Sequence, residues 1–477
     1  MAIEWSGSTP ELLLPLERGG GTSLRAQLLS GLREAIRDGR LHEGERLPST
    51  RELSRQLGVS RGLVQECYGQ LLAEGYLVTR GGSATRVAPG SARPAADAAP
   101  TAPPPPGSRH VQALIADFRA GVPDLASFPR GDWAWAVRET CRTAANADLD
   151  YGDPRGSVVL RQVLAGYLRR VRAAEADPDR IVVSTGFAQG LVVALRALTG
   201  ADVRRVAFED PGYGATEVEE IVRAVGAPRL EAVHVPVDEQ GVDVEALESS
   251  GAQAVVVMPA HQSPTGVVLS ARRRNELVAW ARRHDGYVVE DDYDSEFRYD
   301  REPVGVVQGL APERVFTIGT VSKTLAPAVR LGWVLAPGRF ADRVAEEKLI
   351  SDRGSSALDQ LALAALLESG RYDRHLRRMR AVYAGRRATL VDALARHARH
   401  VRVSGLAAGF HAVAHLPASA DERAVVAAAA GRSVGLYPMA DHRALPGPNA
   451  PQLVLGFGLV GERAIETGIA TVADLLH

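Results

Sequence analysis

The chain has 477 residues, of which 45% are hydrophobic, and this is enough for two or three domains with a large core. Its formal net charge of −1 excludes polyanion binding by bulk charge alone, and its two cysteines, Cys67 and Cys141, fit no disulfide or metal-binding pattern. We therefore predict no metal site. No apolar run reaches about 18 residues and the first residues lack a secretory leader, so we expect a cytoplasmic protein without a membrane segment.

The N-terminal residues predict three helices followed by a short hairpin. Apolar residues at every fourth position from Leu24 to Ile36 indicate a first helix. Ser49 is the expected N-cap of a second helix that ends near Leu57, and Ser60 caps a third helix that runs to about residue 74. Two short strands, over 76–79 and 85–87, follow on either side of a glycine-containing tip. This order of elements is typical of a winged helix-turn-helix.

This segment resembles the DNA-binding domain of GntR-type regulators. The resemblance rests on residues 47–53 (LPSTREL), 58–61 (GVSR), Tyr68 and 74–77 (EGYL). It implies that the third helix enters the major groove of double-stranded DNA and that the glycine tip approaches the minor groove. The residues implied to face an operator are Arg51, Ser60, Arg61, Gly62, Gln65, Gly81 and Gly82.

The charge of this segment is modest. Residues 22–88 hold ten arginines and seven acidic residues, a net charge of +3. Because phosphate contacts supply most of the affinity for DNA, we expect a dimer to be needed for useful binding. The alternative is a small helical domain that merely carries scattered arginines.

A boundary between domains is predicted at residues 89–110. This stretch is rich in proline and alanine and has no periodic apolar pattern, which is typical of an extended, solvated linker. We therefore expect a DNA-binding domain over residues 12–88, a linker over 89–110 and a second domain over 111–477.

The second domain is predicted to be an α/β domain. Near-continuous apolar strands alternate with helical segments, which indicates a mostly parallel sheet covered by helices on both faces. The ligand of such a sheet is expected at the carboxyl ends of its strands. The predicted strands are 180–184, 203–208, 254–258, 287–290 and 315–318.

The most informative candidate residue is Lys323. The chain has 56 basic residues but only two lysines, Lys323 and Lys348. Arginine stays protonated, whereas a lysine amine can lose its proton and form a Schiff base with an aldehyde. Taken alone, Lys323 could be a chance surface residue, but further polar and aromatic residues also follow the predicted strands. They are Gly186, Phe187 and Ala188, then Tyr213, then Ser263, then Asp291 and Tyr293, and finally Thr320, Ser322, Lys323 and Arg330.

This set of residues predicts a site for pyridoxal 5'-phosphate. The cofactor needs an amine for its aldehyde, a carboxylate for its ring nitrogen, an aromatic ring for stacking and a phosphate cradle. A helix N-terminus such as the one after Ser184 can supply that cradle. Each residue also has an ordinary structural interpretation: Asp291 as a helix cap, Tyr213 as core packing, and the glycine turn as reused structure.

The whole chain is similar to the MocR/GabR family of bacterial transcription regulators, in which a GntR-like winged helix is fused to a fold-type I, aminotransferase-like domain with large and small subdomains. The motifs that carry the second part of this resemblance are residues 150–156 (DYGDPRG), 291–298 (DDYDSEFR), 352–356 (DRGSS) and 375–380 (HLRRMR).

This resemblance implies roles for individual residues. It implies that Lys323 forms the internal aldimine and that Asp291 pairs with the ring nitrogen. It implies that Tyr293 contacts the ring oxygen, that Tyr213 stacks on the ring, and that Ser263 and Thr320 lie near the cofactor. The implied phosphate ligands are Arg330, Ser322 and the backbone of Gly186, Phe187 and Ala188, with Tyr151 reaching in from the partner subunit of a homodimer.

Two departures from the pattern bear on activity. Ser263 stands where many enzymes of this fold have asparagine, and Val454 stands where transaminases tend to have an arginine for the substrate carboxylate. Other arginines, such as Arg155, Arg353 or Arg443, could supply a carboxylate partner. We therefore expect little steady turnover, although a transaminase half-reaction stays open.

Three functions are compatible with the sequence. The leading hypothesis is a transcription regulator whose large domain senses pyridoxal phosphate itself, or an amino compound, through Lys323. The second is an active aminotransferase with an attached DNA-binding domain. The third is a winged-helix repressor whose large domain has lost the cofactor and serves only for dimerisation.

Overall fold

The structure, a computed structural model, describes residues 14, 16–18, 21–79, 84–90, 114–299, 304–447 and 450–477. The chain divides into two compact units, Met1–His110 and Val111–His477. Each unit has hydrophobic core residues of its own. Among the helices that the structure describes, none has both the length and the apolar stretch that crossing a bilayer requires.

The first unit is a winged helix-turn-helix, as predicted. Ser49 and Ser60 cap the second and third helices, since each hydroxyl accepts a hydrogen bond from a backbone N–H three residues later, at 3.2 Å. Gly58 ends the second helix with a φ of +62°, a conformation that glycine adopts without steric cost. The predicted tip residues Gly81 and Gly82 lie outside the described residues. The elements of this unit are α1 (Leu24–Arg37), α2 (Thr50–Leu57), α3 (Arg61–Ala73), β1 (Leu77–Val78) and β2 (Arg86–Val87).

The second unit alternates strands and helices along most of its length. Its first half contains β3 (Ala116–Asp117), α4 (Arg130–Thr143), α5 (Val158–Arg172), β4 (Ile181–Ser184), α6 (Phe187–Thr199), β5 (Arg205–Asp210), α7 (Gly214–Val225), β6 (Glu231–Asp238), β7 (Gly241–Val242), α8 (Val244–Ser249), β8 (Ala254–Val257) and α9 (Ala271–Arg283). Its second half contains β9 (Tyr287–Asp292), β10 (Val315–Thr320), β11 (Gly332–Leu335), α10 (Ala341–Asp352), α11 (Ala357–Glu368), α12 (Arg371–His397), β12 (Arg402–Ser404), β13 (His411–His415), α13 (Glu422–Gly431), β14 (Val434–Gly435), β15 (Tyr437–Pro438), β16 (Gln452–Gly456) and α14 (Glu462–Val472).

The large subdomain is built on an eight-stranded, mostly parallel sheet in the order β4-β11-β10-β9-β8-β5-β6-β7. Strands β10, β9, β8, β5 and β6 are parallel neighbours, while β11 runs antiparallel to both β10 and β4. Every residue of β8 is buried, because Ala254 and Val256 pack into the core on one face and Val255 and Val257 into the core on the other. The predicted sheet with both faces covered is thereby confirmed.

The small subdomain is a four-stranded antiparallel sheet in the order β12-β13-β16-β15. The long helix α12 packs against α14, and buried residues of both helices share one core with the inner face of this sheet. The predicted division into large and small subdomains is therefore present.

A buried ion pair fixes the carboxyl end of β9. Arg172, the last residue of α5, is 1% exposed and donates two hydrogen bonds to the carboxylate of Asp292, from Nε at 2.8 Å and from Nη2 at 2.7 Å. This bidentate geometry restrains the guanidinium and carboxylate planes together. The contact therefore ties α5 to the strand that also carries the candidate residue Asp291.

We expect Asp292→Ala to destabilise the second unit by about 3–5 kcal/mol, because it leaves the Arg172 guanidinium charged and buried without its partner. Urea unfolding followed by circular dichroism measures this change. Glu313→Ala is the matched control, since its ion pair with Arg282 is about half exposed and should contribute no more than about 1 kcal/mol. Equal losses in the two variants would contradict the expectation.

Candidate functional site

The predicted site residues of the large subdomain lie along the carboxyl edge of its sheet. Lys323 follows β10, and its Nζ donates a hydrogen bond to the carbonyl of Gly121 at 2.6 Å. Burial lowers the pKa of Lys323, while the carboxylates of Asp291, Asp294 and Glu217 oppose that shift. The amine is thus easier to deprotonate than that of an exposed lysine, which is the condition for a nucleophile.

Asp291 is a buried carboxylate with one satisfied oxygen. The hydroxyl of Tyr213 donates to Oδ2 at 2.5 Å, while Oδ1 is buried and has no hydrogen-bond partner among the described residues. Burial raises the pKa of Asp291 to about 8, against the opposing effect of the Tyr213 hydrogen bond and Lys323. A positively charged nitrogen beside Oδ1 would satisfy this oxygen and favour its ionised form.

Tyr213 lies between the predicted phosphate cradle and Asp291. Its ring stacks on that of Phe187, with ring centroids 5.9 Å apart and an angle of 9° between the planes. Tyr213 therefore contacts the ring of Phe187, whose backbone belongs to the predicted cradle, and its hydroxyl binds the Asp291 carboxylate.

The predicted phosphate cradle combines a helix N-terminus with a guanidinium. Gly186 precedes α6 with a φ of +112°, and a Cβ atom at this position would lie 3.5 Å from Nη1 of Arg330. The first backbone N–H groups of α6, from Phe187 and Ala188, have no acceptor within the helix and are available to an anion. Arg330 itself is exposed and adopts a φ of +54°.

Two hydroxyl groups hydrogen-bond each other in the turn after β10. Thr320 is the last residue of β10, and its hydroxyl lies 2.9 Å from the Ser322 hydroxyl and 3.1 Å from the Ser322 N–H. These contacts fix the turn that leads into Lys323.

The two remaining predicted cofactor contacts of this subunit lie beside one another. The Tyr293 phenol hydrogen-bonds the side chain of Ser263 and lies 3.2 Å from Nδ1 of His261. Ser263 therefore contacts the phenol although it replaces the asparagine common in this fold. Tyr151, in contrast, is 80% exposed and joins none of these residues within its own chain.

The position of the expected carboxylate clamp is apolar. Val454 is fully buried and packs with Val413 and Met439 against Ala120. Ala120 directly precedes Gly121, whose carbonyl binds Lys323. At the sequence position where transaminases tend to have the arginine for a substrate carboxylate, the small subdomain therefore has a buried hydrocarbon side chain.

Two structural contacts of this site were missed by sequence reasoning. The Gly121 carbonyl is a backbone group 202 residues before Lys323, so no side-chain pattern marks it. Lys348, the other lysine, is fully buried and donates to Asp352 at 2.6 Å, and Asp352 accepts from Gln189 of α6 at 2.7 Å. The rarity of lysine was a usable signal here, because neither lysine lies on the surface.

The predicted DNA-facing residues of the first unit share one surface. Arg51, Ser60, Arg61, Gly62 and Gln65 are all exposed, and they lie at or near the N-terminal ends of α2 and α3. Arg61 Nε donates to the Thr50 hydroxyl at 3.3 Å, which links the two helix starts. This is the end of a recognition helix that contacts base edges in helix-turn-helix proteins.

Comparison with known proteins agrees with both units. Residues 24–87 match the family model for bacterial regulatory proteins of the gntR family, and residues 117–438 match that for class I and II aminotransferases. The chain is 33% identical to the HTH-type pyridoxine biosynthesis transcriptional regulator PdxR of Corynebacterium glutamicum, over 95% of this chain and 96% of PdxR. It is 32% identical to the probable rhizopine catabolism regulatory protein MocR of Rhizobium meliloti, over 96% of this chain and 94% of MocR.

The chain belongs to the MocR/GabR family of transcription regulators. The hypothesis of a DNA-binding regulator with an aminotransferase-like domain is thereby confirmed. An archaeal alanine:glyoxylate aminotransferase shares the fold of the second unit, with a TM-score of 0.68 and 24% identity over 76% of this chain and 90% of that enzyme. At this level of identity, the likeness concerns the fold alone.

We expect Asp291→Asn to stabilise the cofactor-free regulator at pH 8 more than at pH 5. Between about pH 4 and 8 the unfolded chain carries this carboxylate ionised while the folded chain holds it protonated, so folding stability falls as the pH rises through this window. Asparagine removes that dependence. Thermal unfolding at the two pH values measures it, and the exposed Asp342→Asn is the control. A stability difference that does not change with pH would contradict the expectation.

Proposed function

We propose that this regulator binds pyridoxal 5'-phosphate at the site around Lys323 and responds to the cofactor as its effector. The donor set fits the group, because the buried Oδ1 of Asp291 lacks a partner that a protonated ring nitrogen would supply. The cradle at Gly186 and Arg330 combines backbone N–H groups with positive charge, which fits a phosphate. Pyridoxal phosphate, when bound, supplies an aldehyde that reacts with primary amines.

Different residues of this chain would bind different parts of the cofactor. Lys323 offers a partly buried amine with a lowered pKa, and Asp291 offers a carboxylate for the ring nitrogen. The phosphate would be bound by Arg330, Ser322 and the first N–H groups of α6. Tyr213 and Tyr293 would border the ring, with Tyr151 contributed from the partner subunit of a homodimer.

The apolar cluster around Val454 is the observation that favours pyridoxal phosphate over an amino acid as the effector. A carboxylate placed against Val413, Met439 and Val454 would lose its hydration without gaining a charged partner, which is unfavourable. Pyridoxal phosphate needs no carboxylate clamp, whereas an amino acid does. The name of the relative PdxR, a pyridoxine biosynthesis regulator, supports the same choice.

The output of the regulator would be a change in how it binds DNA. Two copies of α3 in a homodimer would read two half-sites, with Ser60, Arg61, Gly62 and Gln65 near the bases and Arg51 at the backbone. Binding of the effector between the large and small subdomains would favour one arrangement of those subdomains. That shift would alter the spacing of the two α3 helices and hence the affinity for the operator.

The first test uses the fact that the chain has only two lysines. Borohydride reduction of the protein with pyridoxal phosphate should attach the label to Lys323 and leave Lys348 unmodified, because Lys348 is fully buried in an ion pair. Peptide mass spectrometry locates the label. In Lys323→Ala the visible absorbance of the bound cofactor should disappear. Labelling of Lys348 alone, or retention of the band in Lys323→Ala, would overturn the proposal.

The second test concerns the effector and the operator together. Footprinting of the DNA upstream of the regulator's own gene should show protection that changes on addition of pyridoxal phosphate, but not of L-alanine or putrescine. Lys323→Ala should still bind this DNA but should not respond. Arg61→Ala should weaken binding about 5- to 150-fold, because one base contact is worth about 1–3 kcal/mol.

The control for the DNA contact is Arg223→Ala, an exposed arginine of α7 that should leave operator binding unchanged. A response to L-alanine or putrescine without a response to pyridoxal phosphate would assign the effector to the amino compounds instead. Sustained turnover of L-alanine with 2-oxoglutarate would favour the aminotransferase hypothesis over a sensor.

A further inference from the structure

A buried cluster of imidazole and carboxylate groups lies between the large and small subdomains. His261 belongs to the loop after β8, Asp294 follows β9, and His411 is the first residue of β13 in the small subdomain. The three residues are between 1% and 3% exposed. The rings of His261 and His411 are 4.5 Å apart between centroids.

In each imidazole of this cluster, one ring nitrogen makes a hydrogen bond and the other has no partner among the described residues. Nδ1 of His261 lies 2.8 Å from Oδ2 of Asp294, and His411 hydrogen-bonds the backbone carbonyl of Pro264. The Nε2 atoms of both histidines are buried and have no hydrogen-bond partner among the described residues. For His411 this matches metal-binding histidines, in which one ring nitrogen donates to a backbone carbonyl and the other is left as the ligand. For His261 the nitrogen beside the carboxylate is Nδ1, so a cation here would take the place of the proton shared by Nδ1 and Oδ2 of Asp294.

The backbone is adapted to this arrangement at Gly409. Its φ is +67°, and a Cβ atom here would lie 2.2 Å from Cε1 of His261 and 2.3 Å from Oδ2 of Asp294. Only glycine therefore allows the imidazole and the carboxylate to pack together at this point. The phenol of Tyr293, 3.2 Å from Nδ1 of His261, is a further oxygen beside the cluster.

We propose that His261, His411 and Asp294 form a binding site for a zinc-type divalent cation that links the two subdomains. One possible ligand atom from each residue lies within 4.8 Å of the others. With zinc–nitrogen and zinc–oxygen bonds of about 2.1 Å, two ligands of one tetrahedral zinc ion lie about 3.4 Å apart, so the closing movement required is at most about 1.4 Å. Neutral imidazole nitrogens suit zinc and its neighbours in the transition series better than they suit magnesium or calcium.

The cation would be a second ligand of the regulator, and it would favour the arrangement in which the large and small subdomains are held together at this cluster. The cation would hold β13 of the small subdomain to the loop of the large subdomain that contains His261 and Ser263. Binding to the folded state would raise the thermal unfolding temperature in proportion to the logarithm of the free metal concentration above its dissociation constant. Because Tyr293 borders both sites, the metal would also act on the side of the cofactor site that Ser263 occupies.

The test is a metal titration of the full-length, tag-free protein after chelator treatment. Lys323→Ala should be measured beside the natural sequence, so that binding by the cofactor site is kept separate. We expect one Co²⁺ per chain, a visible ligand-field absorption, displacement by Zn²⁺, and two imidazole ligands in zinc X-ray absorption. Submicromolar affinity should fall at least about 10-fold in Asp294→Asn and further in His261→Gln and His411→Gln.

The matched control is His284→Gln. His284 also lies 2.8 Å from a carboxylate oxygen, that of Glu248, but this pair is about 44% exposed and should not affect metal binding. Absence of stoichiometric binding to the natural sequence would overturn the proposal whatever the variants do. Undiminished binding in folded His411→Gln, or loss of binding in His284→Gln, would equally overturn it.

Discussion

The three buried carboxyl groups at the end of β9 are the constraint on which the second unit depends. Glu290, Asp291 and Asp292 are consecutive and buried, and alternate residues of a strand point to opposite faces of the sheet. Glu290 accepts from the Val307 N–H at 3.0 Å, and Asp292 receives the two hydrogen bonds of Arg172. Of these three residues, only Asp291 keeps an oxygen that has no partner among the residues the structure describes. The fold therefore leaves its one uncompensated carboxylate of this strand at the site edge of the sheet.

This difference between Asp291 and its two neighbours determines what kind of ligand the site can bind. A raised pKa at Asp291 and a lowered pKa at Lys323 both reflect burial, and both would be relieved by a ligand that brings a cationic nitrogen and an electrophilic carbon. The small subdomain adds hydrocarbon around Val454 rather than a second cation. The residues proposed to hold the cofactor thus lie together, while Val454 takes the position of the usual arginine clamp for an amino acid carboxylate, and this combination supports the proposal of a sensor.

Much of the fold could be predicted because local rules and the tertiary structure agree. The caps at Ser49 and Ser60 depend on groups within three residues, so the helix starts were correctly predicted. The five predicted strands exist because a parallel sheet with two covered faces needs continuous apolar runs. Asp291 was expected just after its strand but forms part of β9, since pairing with β10 continues through Asp292. Because β9 ends in acidic residues, its apolar pattern stops before the strand does, and the end of the strand was predicted too early.

The sequence by itself determined the family, the two kinds of unit, and the gathering of Lys323, Asp291 and the glycine turn at one sheet edge. These follow from motifs and from the rule that parallel strands present their carboxyl ends together. Only the tertiary structure decided which backbone carbonyl meets Lys323 and which groups leave Asp291 half satisfied. It alone brought His411 to His261, from segments 150 residues apart in different subdomains. Such contacts depend on how two subdomains pack, and no local pattern in the chain encodes that packing.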